Sequence, residues 1–295
     1  MENGKQKMEN TFGSPSFSIF RFPFSILFAV IILASLSSCD DPVDLKLNTA
    51  SPYLIVDGTL DNDPSRVDTI RLKTSVGYLE NQPFPRAQGA EIIVTGTDGQ
   101  IDTLQEVVPG KYITRSFVGS PLNTYTVNIA WQGQRYRAAA RMPRAVGIDS
   151  VRALYVVDDP FEDPGYLIYL YTLEPKGVGD FYQFELRKND TLQNRAMDLI
   201  FVDDAFVDGN YITDFSLNRE PYKRGDKVIA YAKCITEDAY YFYVELQTTF
   251  FQGGLFSAPP SNVRTNVFNL DGASTKRATG YLFVTALAQD SVVCE

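Results

Sequence analysis

From Tyr53 onward, apolar and polar residues alternate with a period of two. Ile70, Leu72, Thr74 and Val76 share one face while Thr69, Arg71, Lys73 and Ser75 take the other. Tyr125, Val127, Ile129 and Trp131 alternate in the same way with Thr124, Thr126, Asn128 and Ala130. Successive side chains of a strand point to opposite faces, so this pattern predicts antiparallel sheet buried on one side. The turn dipeptides Asp98-Gly99, Pro109-Gly110 and Gln132-Gly133 separate the runs. About six or seven strands fit between Tyr53 and Arg141, the number in an immunoglobulin-like sandwich. Met142-Pro143-Arg144 makes a natural boundary.

The second half predicts strands near residues 148–157, 166–172, 181–187, 199–202, 211–217, 227–233 and 281–287. A helix interrupts them at about 236–252. Thr236 suits an N-cap, and Glu237 and Asp238 place negative charge at the positive helix end. Ala239, Phe242, Tyr243, Leu246 and Phe250 fall on one stripe, and Gly253-Gly254 ends it. Such a stripe predicts a helix lying on a sheet, with a partner-binding helix as the alternative. The expected fold is all-β: an N-terminal immunoglobulin-like β-sandwich over 53–144, then a second, mainly antiparallel β domain over 145–295 that carries the helix.

Ahead of the strands, residues 1–38 read as a signal peptide. Lys5, Lys7 and Arg21 supply a basic start, with Met8 an alternative to Met1 as its first residue. The apolar run from Phe22 to Leu36 has about 15 residues, short of the ~20 that a spanning helix needs. Its ending, Leu36-Ser37-Ser38-Cys39, resembles the bacterial lipobox. That resemblance implies diacylglycerol on the Cys39 thiol, cleavage before Cys39 and acylation of the new N-terminus, each buried CH₂ contributing ~0.8 kcal/mol to anchoring. Residues 39–52 read as an acidic tether. Asp40, Asp41 and Asp44 beside Pro42 resemble the signal that sends lipoproteins to the outer face of the outer membrane in Gram-negative bacteria with starch-utilisation-type receptors. A solvated tether is compatible with the same residues.

The net charge of −9 makes nucleic acid an unexpected partner, because phosphate binding rests on Lys and Arg. Once Cys39 carries lipid, Cys234 and Cys294 remain as an even pair in an oxidising compartment. A disulfide between them would close a loop of about 60 residues and stabilise by roughly 4 kcal/mol. Two thiols too far apart to join are the alternative.

The chain has no histidine, which removes Ser-His-Asp and Cys-His catalysis and His-containing zinc sites. No phosphate-binding glycine loop is present, and no cofactor is expected. Cys234 precedes the helix start, a position that lowers a thiol pKa, but it lacks a partner base. Asp203, Asp204, Asp208 and Asn210 around Gly209 form a weak metal candidate of Ca²⁺ type. Phe206 and Phe215 stand where such a loop needs oxygen ligands, so a polar hairpin turn is the preferred reading. Glu174 and Glu185 are an acid pair of the kind that cuts glycosidic bonds, though nothing in their spacing selects them.

An Asp-Ser/Thr-aliphatic pattern recurs at Thr69, Thr103, Ser150, Thr191 and Ser291. It resembles the O-glycosylation sequon of the same bacterial group, and a turn Asp followed by β-formers explains it equally well. Leu255 and Phe256, between Gly253-Gly254 and Pro259-Pro260, are candidates for a protein contact, with packing at the helix end as the alternative.

Several longer stretches complete the picture: YLIVDGTL (Tyr53 to Leu60), AEIIVTGTDG (Ala90 to Gly99), GKYIT (Gly110 to Thr114), FVDDAFVDGNYI (Phe201 to Ile212), RGDKVIAYAKCITEDAYYFYVELQ (Arg224 to Gln247), FSAPPSNVRTNV (Phe256 to Val267) and GYLFVTAL (Gly280 to Leu287). Their order resembles the domain of unknown function 4249 family of surface lipoproteins. The resemblance implies a gene neighbourhood with TonB-dependent outer-membrane receptors, and it carries over no catalytic residues. The expectation is a non-enzymatic, lipid-anchored protein of the outer membrane, exposed on the cell surface, that serves a TonB-dependent receptor as an accessory or by capturing ligand. A hydrolase acting on surface glycans or peptides and a structural or adhesive β-protein are the alternatives.

Overall fold

The computed structural model describes residues 51–77, 80, 82–157, 164–251 and 262–295. Its first sandwich has two sheets. One holds β1 (Leu54–Leu60), β2 (Thr69–Thr74), β5 (Gln105–Val108), β6 (Lys111–Ile113) and β17 (Ala278–Val284). The other holds β3 (Glu91–Gly96), β4 (Ile101–Thr103), β7 (Thr124–Trp131), β8 (Gln134–Arg141) and β16 (Val267–Asn269). The period-two pattern decides which side chains go inside. Val56, Ile70 and Leu72 of the first sheet and Tyr125, Val127 and Ile129 of the second join one buried cluster. Fully burying an aliphatic side chain of this size stabilises by about 1.5–3 kcal/mol.

The second sandwich continues the same core. β10 (Gly165–Leu173) lies between β9 (Ser150–Val156) and β14 (Tyr211–Ser216). The facing sheet contains β11 (Phe181–Lys188), β12 (Thr191–Gln193), β13 (Ile200–Asp203), β15 (Lys227–Ile235) and β18 (Ala286–Val293). Ile168 and Leu170 meet Tyr182, Phe184, Leu186, Val228 and Ala230 in the buried cluster, and the Phe184 and Phe215 rings approach to 5.4 Å.

The strands do not divide at residue 145 as the pattern along the chain predicts. Residues 49–295 form one compact unit. β17 runs parallel to β1 from the pair Leu54–Ala278 to the pair Leu60–Val284, and β16 pairs with β8, so the C-terminal part completes the first sandwich. The single strand expected over 281–287 is two strands that belong to different sandwiches. The chain crosses between them at Thr285, whose N–H donates to the Leu60 carbonyl at 2.9 Å, and Leu287 N–H donates to Asn62 Oδ1 at 2.6 Å. The close parallel approach depends on Gly280: its φ is +91°, and a Cβ there would stand 2.0 Å from the Val56 carbonyl oxygen.

The expected disulfide is corrected by the register. Cys234 pairs with Ala286 at one end of the β15–β18 ladder, and Lys227 pairs with Val293, next to Cys294, at the other end. Seven steps of strand separate the two ends by about 23 Å, far beyond the ~7 Å between Cα atoms that a disulfide can span. Both thiols are free and buried.

The helix α1 (Glu237–Phe251) appears where the capping signals place it, and Thr236 Oγ1 accepts the Ala239 N–H at 3.2 Å. Ala239 is buried, Tyr240 packs on Phe181 and Phe201, and Phe242 and Tyr243 pack on Phe283. The helix therefore covers strands of both sandwiches. Phe250, expected in the stripe, is 65% exposed, so the packed stripe ends before the last turn. Among the described residues no helix is long and apolar enough to cross a membrane.

Candidate functional site

An open cavity of about 320 Å³ lies between the sheets of the second sandwich. Its walls are Leu170 and Thr172 of β10, Tyr182 and Phe184 of β11, Val202 of β13, and Ile212 and Phe215 of β14. Phe206, in the turn after β13, also lines it and is 96% exposed. In a regular strand Asp214 and Phe215 would face opposite ways, yet both line the cavity. A break in register explains this. Leu170 pairs with Phe215 and Thr172 with Ile212, so β14 carries one residue more than β10 over this interval. The bulge re-aims the side chains and sets Asp214, which stays exposed, at the rim of the cavity beside its apolar neighbour.

The polar part of the lining centres on Glu174, which is only 2% exposed and accepts the Tyr182 hydroxyl on Oε1 at 2.6 Å. One carboxylate oxygen each from Glu174, Asp180 and Asp204 lies within 4.8 Å of the others. Burial raises the pKa of Glu174; the Tyr182 hydrogen bond opposes that shift, and the charges of Asp180 and Asp204 add to it. Burial and Glu174 together push the Tyr182 phenol far above its ordinary range. Arg144 is the nearby compensating cation. Its Nε donates to Asp180 Oδ2 at 2.8 Å, and its two Nη atoms donate to the carbonyls of Pro175, Lys176 and Gly177. The guanidinium is thus committed to Asp180 and the loop beneath it. Among the described residues, the cavity itself is lined by the acids Glu174, Asp203 and Asp214 and by no Lys or Arg.

The proposed Ca²⁺ set is not brought together. Asp203 Oδ1 accepts the Ala205 N–H, Asp204 accepts the Gly179 N–H on both oxygens, and Asp208 Oδ1 accepts the Gly177 N–H. Asn210 N–H donates to the Val207 carbonyl. These oxygens are engaged in holding turns, but not the expected hairpin, because β13 pairs with β11 and β14 with β10 in different sheets. Glu174 and Glu185 are not partners either. Glu185 pairs with Lys233 on the face of β11 opposite Tyr182, the residue that holds Glu174.

Cys234 is buried, as suits the structural role preferred for a cysteine without a partner base. Burial pushes its thiol up to about 12, against the lowering expected beside a helix start. Among the sequon residues, Thr103, Thr191 and Ser291 are exposed, while Thr69 and Ser150 are half-buried. Three of the preceding acids perform structural tasks. Asp68 accepts the Asp61 N–H, Asp102 accepts three backbone N–H groups, and Asp290 accepts the Val151 N–H. Asp190 joins Asn189 in a hairpin turn with φ of +65° and +47°. Cys39, Asp40, Asp41, Asp44, Leu255 and Phe256 lie outside the described residues. At the near end of that last segment, Arg264 is stapled to α1 by bonds to Glu245 and Asp238.

The sequence reading missed the cavity. The acids that cluster at its edge, Glu174, Asp180 and Asp204, come from three separate loops, after β10, before β11 and after β13, and only the fold makes them neighbours.

The family model of a domain of unknown function (DUF4249) matches residues 40–291. No curated protein matches the chain. Two solved structures share a distant likeness. The adhesin InvE of Yersinia pseudotuberculosis is 13% identical at a TM-score of 0.20, the match covering 62% of this chain and 55% of that one. The alpha-L-rhamnosidase of Dictyoglumus thermophilum is 14% identical at a TM-score of 0.22, covering 65% of this chain and 28% of that one. The chain thus spans about half of the first protein and under a third of the second, and neither likeness carries an argument about function.

Proposed function

The chain belongs to the DUF4249 family, and we propose that it is a non-enzymatic lipoprotein, anchored through Cys39 in the outer membrane and exposed at the cell surface, that captures a ligand for a TonB-dependent receptor. The cavity of about 320 Å³ carries the ligand-capture part of this reading, because its apolar walls and few buried polar groups are the usual makeup of a small-molecule site. The match to the family begins at residue 40, directly after the cysteine that the lipobox-like stretch would lipidate, and this supports a body that starts at the anchor. The receptor partnership rests on the family resemblance.

The test is purification from native outer membranes. Wild-type protein should stay in the membrane pellet after a carbonate wash and bring a TonB-dependent receptor with it, identified by mass spectrometry. Cys39→Ser should leave the pellet. A variant that still sediments would refute the anchor, and wild-type protein repeatedly recovered without a receptor would refute the partnership.

A further inference from the structure

We propose that the cavity beside Glu174 binds a small apolar amine, with the ammonium set against Glu174 and the apolar body among Phe184, Phe206 and Phe215. This rests on the reading of the cavity as a ligand site and specifies the class of ligand.

The first argument is what Glu174 does not do. The buried acids of the described residues are Asp61, Asp68, Asp102, Glu174 and Asp204. Asp61 accepts the Asp63 N–H, Asp68 the Asp61 N–H, Asp102 the N–H groups of residues 115–117, and Asp204 the Gly179 N–H. Each therefore holds a backbone turn. Glu174 accepts no backbone N–H among the described hydrogen bonds; its one donor is the Tyr182 hydroxyl. Glu174 satisfies one buried hydroxyl and holds no turn, which leaves acceptor capacity on the cavity wall that it lines and points to a ligand.

The second argument is charge. Glu174, Asp203 and Asp214 line the cavity without a Lys or Arg among them, and the nearby Arg144 is taken up by Asp180 and three carbonyls. Burial and the neighbouring acids raise the proton affinity of Glu174, as expected where positive charge is lacking. An ammonium supplies that charge and has three donors with no acceptor, matching a wall of acceptors. A carboxylate ligand would meet repulsion. The third argument is the body of the ligand. Three phenylalanines line the same space, and Phe206 stands almost fully exposed at it. Aromatic faces favour both an apolar body and an adjacent cation.

The experiment holds the carbon skeleton constant and changes only the head group: 3-phenylpropylamine, 3-phenylpropan-1-ol and 3-phenylpropanoate, titrated calorimetrically into the full-length protein in detergent. The amine should bind at least tenfold tighter than the alcohol, and the acid weakest. Glu174→Gln keeps an acceptor for the Tyr182 hydroxyl, and in that variant the amine and alcohol affinities should converge. Equal affinities in wild type, or a preference that survives Glu174→Gln, would overturn the proposal. If that variant does not fold, Asp214→Asn serves in its place and should narrow the preference by a factor of a few; an unchanged preference there counts against the proposal. Tighter binding of the alcohol or the acid would sink the amine assignment and leave the cavity as a capture site. Binding of none of the three overturns this inference, and receptor recovery from native membranes then decides the broader reading on its own.

Discussion

Asp102 offers the sharpest test of how the first sandwich is held. It lies in β4 at 5% exposure, and its Oδ2 accepts the N–H groups of Arg115 at 2.8 Å and of Ser116 and Phe117 at 2.9 Å. Asp102→Ala removes all three acceptors at once. Residues 115 and 116 are exposed and turn to water, whereas Phe117 is buried and its N–H has no such substitute. A hydrogen bond to a charged group contributes about 1.5–3 kcal/mol and a stranded buried donor costs about 1–3 kcal/mol, so the substitution should cost roughly 2–4 kcal/mol. At about 2–4 °C per kcal/mol for a chain of this size, the Tm should fall by roughly 5–15 °C in calorimetry. Asp102→Asn keeps a carbonyl acceptor and should lose about half as much. Thr103→Ala is the control, because it deletes the exposed hydroxyl of the same sequon and keeps the carboxylate. A variant Asp102→Ala that melts within about 2 °C of wild type, or a larger loss from Thr103→Ala, would refute the reasoning.

Two further outcomes follow from buried groups. Burial, reinforced by the charge of Asp61, pushes Asp68 from 3.8 up to about 8; the folded value lies above the unfolded one, so the stability Asp68 confers is complete below its unfolded pKa and is lost as pH rises through the folded one. Asp68→Asn should flatten the decline in stability across that window in urea melts at stepped pH, and an unchanged slope would dismiss the assignment. Cys234 and Cys294 should resist a maleimide at neutral pH in the native protein and label fully in guanidinium without reductant; recovery of a peptide linking the two would contradict the register of β15 and β18.

The alternation of apolar and polar residues made most of the strands legible. The expected runs at 166–172, 181–187 and 211–217 correspond to β10 (Gly165–Leu173), β11 (Phe181–Lys188) and β14 (Tyr211–Ser216). The helix was legible from Thr236 and the acids that follow it, because capping is a local interaction. Sheet membership was not, because it is settled by pairing over long separations. Nothing near Tyr281 says that it will lie beside Asp57, and a continuous apolar run hides the crossing at Thr285. The even cysteine count misled for the same reason, since parity carries no information about which end of a ladder each residue occupies. The recurring Asp-Ser/Thr pattern was legible only in part. Asp68, Asp149 and Asp190 stand directly before β2, β9 and β12, as strand-entry chemistry expects, whereas Asp102 and Asp290 lie inside β4 and β18 and hold backbone N–H groups of other segments.

The placement of the cavity follows from how the two sandwiches are tied. β17 against β1, β16 against β8, and α1 across strands of both make it impossible to separate the halves at residue 145 without stripping the first sandwich of two strands. Such ties favour cooperative unfolding of the whole body. Two of the strands that wall the cavity have a single partner each among the described residues. β14 pairs only with β10, through a bulge, and β13 pairs only with β11. Elements of this kind open at lower free energy than the ladders at the centre of a sheet. Under the proposed capture role, a ligand would enter between β13 and β14, while the core formed by β10, β11 and β15 stays closed. A rigid scaffold with one yielding edge suits capture and release better than a cavity sealed within the centre of either sandwich.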